Sequence, residues 1–581
     1  MKKNSFILIL LFALTMVLLF ASAIQQQAKL WTFKPLNGVY EPTPKPELTL
    51  ETYRTAQYQS QMEPYLKENF GFREPLIRFY NQYLYDFFRA SNNKDIIVGK
   101  DHWLYFIQHV NEYYGTEMYR WHDSKEEARE AYDREARLMW KLHGVLKDYD
   151  VDFLLFMAPQ KGFVYPEHLP KRKIDTTSIS AREYFSAKFD AYGFPYIEMT
   201  KWFIDLKKAD TLPYTLFPQT GAHWDFSAAL ATDSLLRFMG DLKGIRLPRL
   251  EYGPFSESTL PKTLEGDYDI EILANLIRPL PHNYDRLYDA QVTAVCDSAT
   301  TKPTVIFVGT SFLMRMYYFV PFDAVFSNSE YWYYNSTAYY DYQNMNYAKM
   351  GKVADYDLLE KLLETDYVVW FAEGDQMCKA SFGFVEAALT KLCLSDDQVN
   401  ERCEQLIDSL GSDPSTLNQF DGLKGEKLKG ELWLKANRII MNDPEKYFPE
   451  IAGNCIPTAR NPRIHEALAI RDIKRDSAWM FNLRCQTVIH NTSLQNVMKM
   501  EAQNVLNGRP LLRDETEAAS QDNYVESLVR DMVELIRYIP EMMEQIREKA
   551  DANGTPFEQQ LHDDAAWIIN NKIQNGEIQI P

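Results

Sequence analysis

The chain has 581 residues, a formal net charge of −18, 46% apolar and 25% charged residues. This is an ordinary balance for a folded chain of two to four domains. The acidic total and the lack of any long Lys/Arg run argue against nucleic-acid binding, and 36 Tyr and 11 Trp suit carbohydrate handling as well as they suit a large core.

Lys2 and Lys3 precede a run from Phe6 to Ile24 that carries no charge. Nineteen helical residues span roughly 28 Å, close to the hydrocarbon thickness of a bilayer. The lysines favour an inside N-terminus. Ala21-Ser22-Ala23 also resembles a signal-peptidase site, so a retained anchor over 1–24 and a cleaved leader are both open. Either way the chain beyond about residue 30 is expected outside the cytoplasm; with the anchor retained, it is a single-pass inner-membrane protein with its bulk in the periplasm. Residues 25–50, with Pro35, Pro42, Pro44 and Pro46, read as a stalk. Residues 51–125 form an N-terminal extension. Helical spacing there places Tyr65, Leu66, Phe70, Leu76, Ile77, Tyr80 and Leu84 in a core. Ile96-Ile97-Val98 and Leu104-Tyr105-Phe106 flank a Gly-Lys-Asp turn in the manner of a hairpin.

From 126 to 394 helices alternate with apolar strands. Helices are expected over 126–148, 180–192 and 226–240, and strands at Phe153–Met157, Pro195–Glu198, Thr304–Val308 and Tyr367–Phe371. This order predicts an α/β domain built on a mostly parallel sheet with helices on both faces. Residues 395–581 are expected to be all-helical. Within them Asp443-Pro444-Glu445 with Asp476…Trp479 echoes Ile539-Pro540-Glu541 with Asp564…Trp567, which suggests two weak helical-hairpin repeats. These helices are also the expected docking region for a partner. Of the six cysteines, Cys393–Cys403 and Cys455–Cys485 are the disulfide pairs to test, against free thiols.

Two motifs bear chemistry. Val305–Val308 ends at Gly309, Thr310 and Ser311, and a helix-like stretch follows. A glycine turn delivering a serine to a helix N-terminus suits a nucleophile, since free N–H groups there steady an oxyanion; a helix-capping serine is the plain alternative. Thr220-Gly221-Ala222-His223-Trp224-Asp225 precedes the helix at 226 and places an imidazole where it can act as a general base. The backbone N–H groups of Thr310 to Phe312 are the first candidates for an oxyanion hole, with Arg315 and Asn335 behind them. Tyr331-Trp332-Tyr333-Tyr334 reads as a sugar-stacking platform or a strand, Lys161 as a contact for an acidic polymer or a plain surface lysine, and Asp101-His102-Trp103 as a turn. No metal or cofactor motif is present.

Taken in this order, the motifs resemble the SGNH hydrolase-like domain of the alginate O-acetyltransferase family (AlgX/AlgJ type) and the related DHHW proteins. Phe70-Gly71-Phe72-Arg73, Val98-Gly99-Lys100-Asp101-His102-Trp103-Leu104-Tyr105, Ala158-Pro159-Gln160-Lys161 with Tyr165-Pro166-Glu167, and Thr365–Val369 match further family segments. The resemblance covers roughly residues 60–390 and implies a flavodoxin-like SGNH fold. It makes Ser311 the nucleophile that is acetylated and His223 its base. It implies a cell-envelope or secreted polysaccharide as acceptor and a membrane-bound O-acyltransferase as acetyl donor. A carbohydrate acetylesterase and a non-catalytic glycan-binding or scaffold protein are the alternative readings. The family's Asp-x-His-Trp motif has Gly221 in place of its Asp. Three accounts follow: Asp225 substitutes as the orienting carboxylate, a Ser–His dyad suffices, or catalysis is lost.

Overall fold

In the computed structural model of the chain, residues 2–38, 43–116, 122–175, 177–257, 268–286, 288–340, 348–377, 381–420, 423–452, 461, 463–514 and 519–580 are described. They divide into two compact units. One comprises 1–137, 154–350 and 369–382, the other 138–153, 351–368 and 383–581. The second is therefore not the C-terminal stretch alone. Two earlier segments, 138–153 and 351–368, both inside the expected 126–394 domain, belong to it.

In the first unit a hairpin pairs β1 (Ile96–Val98) with β2 (Leu104–Phe106), antiparallel as expected. Asp101 and His102 between them adopt positive φ (53° and 64°), so the Asp-His-Trp tripeptide is a turn. The main sheet has seven strands: β3 (Asp152–Ala158), β4 (Tyr196–Glu198), β5 (Thr304–Gly309), β6 (Asn328–Tyr333), β7 (Thr337–Tyr340), β8 (Ala348–Lys352) and β9 (Tyr367–Glu373), in the order β8-β7-β6-β5-β9-β3-β4. β5 and β6 are parallel, as are β3 and β4, whereas β7 runs antiparallel to β6. The sheet is thus mixed. The Tyr334–Ser336 turn, with Tyr334 and Asn335 at positive φ, is too short for a crossover, so it can only return the chain antiparallel. Every residue of β3 and β9 is buried, which is why these strands read as unbroken apolar runs rather than alternating ones. Tyr331 and Trp332 are likewise buried side by side, so they are core residues and not a sugar platform.

The apolar helix Lys2–Ala28 forms, and Leu8–Ala28 is the one stretch among the described residues long and apolar enough to cross a membrane. The segment read as a stalk is bound to the domain. Arg78 donates to the carbonyls of Lys34 and Pro35 (2.9 and 2.7 Å), and Asn37 and Asn275 exchange hydrogen bonds of 2.8 and 2.9 Å. The helix Arg73–Phe88 also departs from expectation. Its buried residues are Asn81, Gln82 and Tyr85, while Leu76 and Tyr80 are exposed and Ile77 and Leu84 only half-buried. Leu66 and Phe70, also expected inside, are exposed as well.

In the second unit the strands give way to helices, among them Asp396–Leu410, Gly425–Asn442, Arg463–Arg475, Ser477–Ile489, Leu494–Asn507, Gln521–Arg537, Pro540–Asn553 and Phe557–Gln574. Two apolar clusters organise them, one around Ile470, Ile473, Leu483 and Val497, the other around Val529, Ile536, Leu561 and Ala565. The two repeat-like segments take different forms. Pro444 opens a four-residue helix and Pro540 a fourteen-residue one. Trp479 is packed with its indole N–H on Glu501 (2.8 Å), whereas Trp567 is exposed. Neither expected disulfide forms. Cys403 and Cys485 are free thiols and Cys393 is disulfide-bonded; Cys378 and Cys455 lie outside the described residues.

Candidate active site

The serine motif is built by close backbone approach. A Cβ at Gly309 would stand 2.6 Å from the carbonyl oxygen of Phe371 and 2.7 Å from its Cβ, so only glycine lets β5 end against β9 here. The Thr310 N–H donates to that Phe371 carbonyl (3.2 Å), its hydroxyl donates to Glu373 (2.6 Å), and its carbonyl accepts the Tyr331 hydroxyl (2.6 Å). Thr310 is thus fixed on three sides and its N–H is taken, which removes it from the oxyanion candidates. Ser311 stands at the N-terminus of the helix Phe312–Phe319 and makes no side-chain cap. Its hydroxyl faces His223 instead.

His223 Nε2 lies 2.8 Å from Ser311 Oγ, and Nδ1 lies 2.8 Å from Asp269 Oδ2. Both ring nitrogens are therefore engaged. The two motifs, 88 residues apart in sequence, are stapled together by other groups. The Trp224 indole N–H donates to the Phe312 carbonyl (2.9 Å), and Arg315 donates to the Trp224 carbonyl (3.1 Å) and to Asp225 Oδ1 (3.0 Å). The Phe312 ring lies 4.9 Å from the imidazole. Asp225 and Arg315 are 1% and 6% exposed in their side chains. The expectation that Asp225 orients the imidazole is corrected on this geometry: its carboxylate serves Arg315 in the dry interior, and no ring nitrogen is left for it. Arg315 and Asn335, the weaker oxyanion candidates, are also committed, Asn335 Nδ2 donating to the Phe382 carbonyl (3.1 Å).

Asp269 was not singled out in the sequence. It opens the short helix Asp269–Ala274, and its second oxygen accepts the N–H groups of Ala222 (2.8 Å) and Ile270 (2.9 Å). One carboxylate therefore holds both the imidazole and the backbone that carries it. It is 46 residues from His223, and the only trace in the sequence is that Glu265, Asp267, Asp269 and Glu271 crowd together just before a short apolar run.

Lys161 departs from both of its readings. It is wholly buried, and its ammonium donates to the carbonyls of Leu104, Gln219 and Gly221 at 2.8, 2.8 and 2.7 Å. It also stands over the rings of Trp103 and Tyr105 at 4.9 and 5.1 Å. Burial pulls its pKa down to about 7, with Asp285 and Asp269 acting in the opposite sense. The lysine ties the hairpin to the loop that delivers His223, and it binds the carbonyl of Gly221, two residues before the imidazole. From the other side, Asp285 accepts the Gln219 N–H (2.6 Å) and Glu271 accepts the Thr220 hydroxyl (2.9 Å). His282 bridges these two carboxylates at 3.1 Å each. Burial disfavours its charge, yet its hydrogen bonds to Asp285 and Glu271 prevail and raise its pKa to about 9.

A cavity of about 500 Å³ is lined by Trp103, Tyr165, Lys207, Tyr284 and Arg286 among others, and by neither Ser311 nor His223. The Ser–His–Asp cluster lies close to the surface without being wholly enclosed, with His223 and Asp269 side chains 16% and 15% exposed.

No curated protein matches the chain in sequence. Among solved structures, it is similar to the O-acetyltransferase domain of Pseudomonas putida AlgJ (15% identity, 49% of this chain and 92% of that one, TM-score 0.32). It is similar also to Pseudomonas aeruginosa AlgX (14%, 50% and 67%, TM-score 0.32) and to Bacillus cereus PatB1 (12%, 44% and 93%, TM-score 0.25). Residues 96–333 match the family model described as "SGNH hydrolase-like domain, acetyltransferase AlgX". That span holds β1 through β6, His223, Asp269 and Ser311, so the candidate site lies wholly within the part of the chain that is similar to this family.

Proposed function

We propose that the chain moves an acetyl group onto a cell-envelope or secreted polysaccharide through an acetyl-Ser311 intermediate. One observation carries the reading: an imidazole held between a serine hydroxyl and a carboxylate, each at 2.8 Å, inside a domain of an acetyltransferase family. His223 Nε2 takes the Ser311 proton as Oγ bonds to the acetyl carbonyl carbon. The bond from that carbon to the donor's leaving group breaks, and the leaving group departs with the proton. In the second half, His223 takes the proton of a sugar hydroxyl, the sugar oxygen bonds to the carbonyl carbon, the carbon–Oγ bond breaks and Ser311 regains its proton. Asp269 holds the imidazole with Nδ1 protonated and steadies the imidazolium, so Gly221 does not imply lost catalysis. The Ser311 and Phe312 N–H groups, in a helical first turn that has no intrahelical acceptors, are the oxyanion donors. The helix Lys2–Ala28 acts as a single-pass anchor with the bulk of the chain in the periplasm, where a membrane-bound O-acyltransferase would supply acetyl.

The test is intact mass spectrometry after incubation with an activated acetyl ester. The expected result is a gain of one acetyl, located on Ser311 and absent in Ser311→Ala; equal acetylation of both proteins defeats the proposal. Supplying an oligosaccharide then separates transfer, which yields acetylated sugar, from an esterase, which yields free acetate.

A further inference from the structure

The helix Arg73–Phe88 is built inside out for a helix on a water-soluble surface. Its inward face carries amides: Asn81 Nδ2 donates to the Ala274 carbonyl (2.9 Å), and Gln82 Oε1 accepts the N–H groups of Ile277 and Arg278 (3.1 Å each). Its outward face carries Leu76, Phe79, Tyr80, Tyr83, Phe87 and Phe88, all exposed, with Phe79 at 66% and Phe87 at 74%. Most of them recur at three- and four-residue intervals, so they form one continuous stripe. The Tyr83 ring packs on those of Phe87 and Phe88 at 5.0 and 5.7 Å. A patch of this kind needs a cover, and its position on the chain says which.

The apolar helix Lys2–Ala28 ends against the foot of this helix. A Cβ at Gly71 would fall on the carbonyl of Ser22 and stand 3.0 Å from the Gln25 side chain. Ser22 and Gln25 are buried, each 6% exposed. Beyond the end of the apolar helix, Trp31 and Phe33 set their rings on Phe72 (5.8 and 5.6 Å), and Arg78 binds the carbonyls of Lys34 and Pro35. The exposed lysines 29 and 34 follow the same exit. The aromatic stripe therefore begins within a few residues of where a membrane-spanning helix would leave the bilayer. Tyr and Trp favour that depth, and a one-sided apolar helix with cations nearby lies flat there.

We propose that the Leu76–Phe88 face lies in the headgroup–acyl boundary of the bilayer crossed by Lys2–Ala28, making Arg73–Phe88 an interfacial helix that seats the domain on the membrane. The amides on its other face then matter for chemistry. Asn81 grips the end of the short helix whose first residue is Asp269, so the carboxylate on His223 is tied to the membrane-lying helix through six residues. The orientation of the site relative to the bilayer is fixed by this link. The proposal rests on Lys2–Ala28 being a retained anchor and is independent of acetyl transfer.

The test uses the full chain, with Cys296→Ser to remove the exposed thiol among the described residues and with Cys378 and Cys455 checked for labelling in the parent chain, reconstituted in phosphatidylcholine–phosphatidylglycerol vesicles. An environment-sensitive fluorophore is attached at Tyr83→Cys, at Phe87→Cys and, as a reporter of the anchor, at Leu14→Cys. A nitroxide on a shallow acyl carbon should quench the labels at 83 and 87 by about half, while aqueous iodide leaves them unchanged. Labels open to iodide and untouched by the lipid nitroxide would put the stripe in water and overturn the proposal. Labels shielded from both quenchers overturn it too, in favour of a covering protein. Quenching at residue 14 by a deep nitroxide without quenching at 83 and 87 keeps the anchor and rejects the interfacial helix; quenching at 83 and 87 without quenching at 14 rejects the anchor and overturns the proposal with it.

Discussion

At the scale of single residues, the two carboxylates near His223 separate by what they touch. Asp269 is on the imidazole and two backbone N–H groups, and Asp225 is on Arg315 in a dry setting. Asp269→Asn should lower the rate of Ser311 acetylation about a thousandfold or more, since an amide there favours the wrong tautomer. Asp225→Asn should leave the imidazole placed but cost about 3–5 kcal/mol in unfolding free energy, because it strands a buried guanidinium; denaturant titration checks it. Serine and histidine were legible because glycine turns and helix starts leave local marks in a sequence. Asp269 was not, because a carboxylate that only has to reach an imidazole in space can come from any loop. Lys161 misled for a related reason. A lysine in a loop reads as solvated, yet this one is buried with three carbonyls and two rings in place of water, which offset its desolvation only in part. Lys161→Met should lower the unfolding free energy by about 3 kcal/mol or more, as three buried carbonyls lose their donor.

At the scale of elements, the loop 219–223 is held from one side by Lys161 and from the other by the Asp285–His282–Glu271 bridge. The folded pKa of His282 is about 9, above its ordinary value of 6.5. Its contribution to stability is therefore full below about pH 6.5 and is lost as the pH rises through about 9. His282→Gln isolates this term: the stability gap between wild type and variant should be widest near pH 6 and close near pH 9.5, by thermal unfolding across that range. A gap that widens with pH would mean that the bridge holds no charge on the histidine. The helix Arg73–Phe88 teaches a second lesson. Periodicity revealed the helix correctly but assigned its apolar stripe to the core. The same spacing serves a core or a bilayer edge, and the informative residues were Asn81 and Gln82, whose inward amides only the fold explains.

At the scale of the molecule, composition revealed that the C-terminal third is helical but could not show what it folds with. Chain order and contact diverge. The helix Leu358–Glu364 precedes β9, yet it packs on the helix Arg463–Arg475 within the second unit. Leu359, Leu362 and Leu363 are buried there. Arg475 binds Asp366 (2.8 Å), Arg471 binds the Tyr149 carbonyl (2.6 Å), and Lys141 binds the Ile451 carbonyl (2.7 Å). A chain cut after residue 394, at the end of the expected α/β domain, removes the partners of the polar groups and takes the helix Arg463–Arg475 from the leucines, leaving them only the helix Phe384–Cys393 and the rest of the α/β part. Baring the side of the three leucines that Arg463–Arg475 covers costs up to about 5 kcal/mol, the order of a typical domain's whole stability. Such a truncation should therefore be recovered mainly as aggregate. Ending the chain near residue 514 removes instead the separate cluster of Val529, Ile536 and Leu561 and leaves the helix Arg463–Arg475 in place. That shorter cut should stay soluble with a lowered melting temperature, read by soluble yield and thermal unfolding of the two truncations side by side. Soluble, cooperatively melting protein from the cut at 394 would mean that the α/β part needs none of the C-terminal helices, and that the segments 138–153 and 351–368 stand without them.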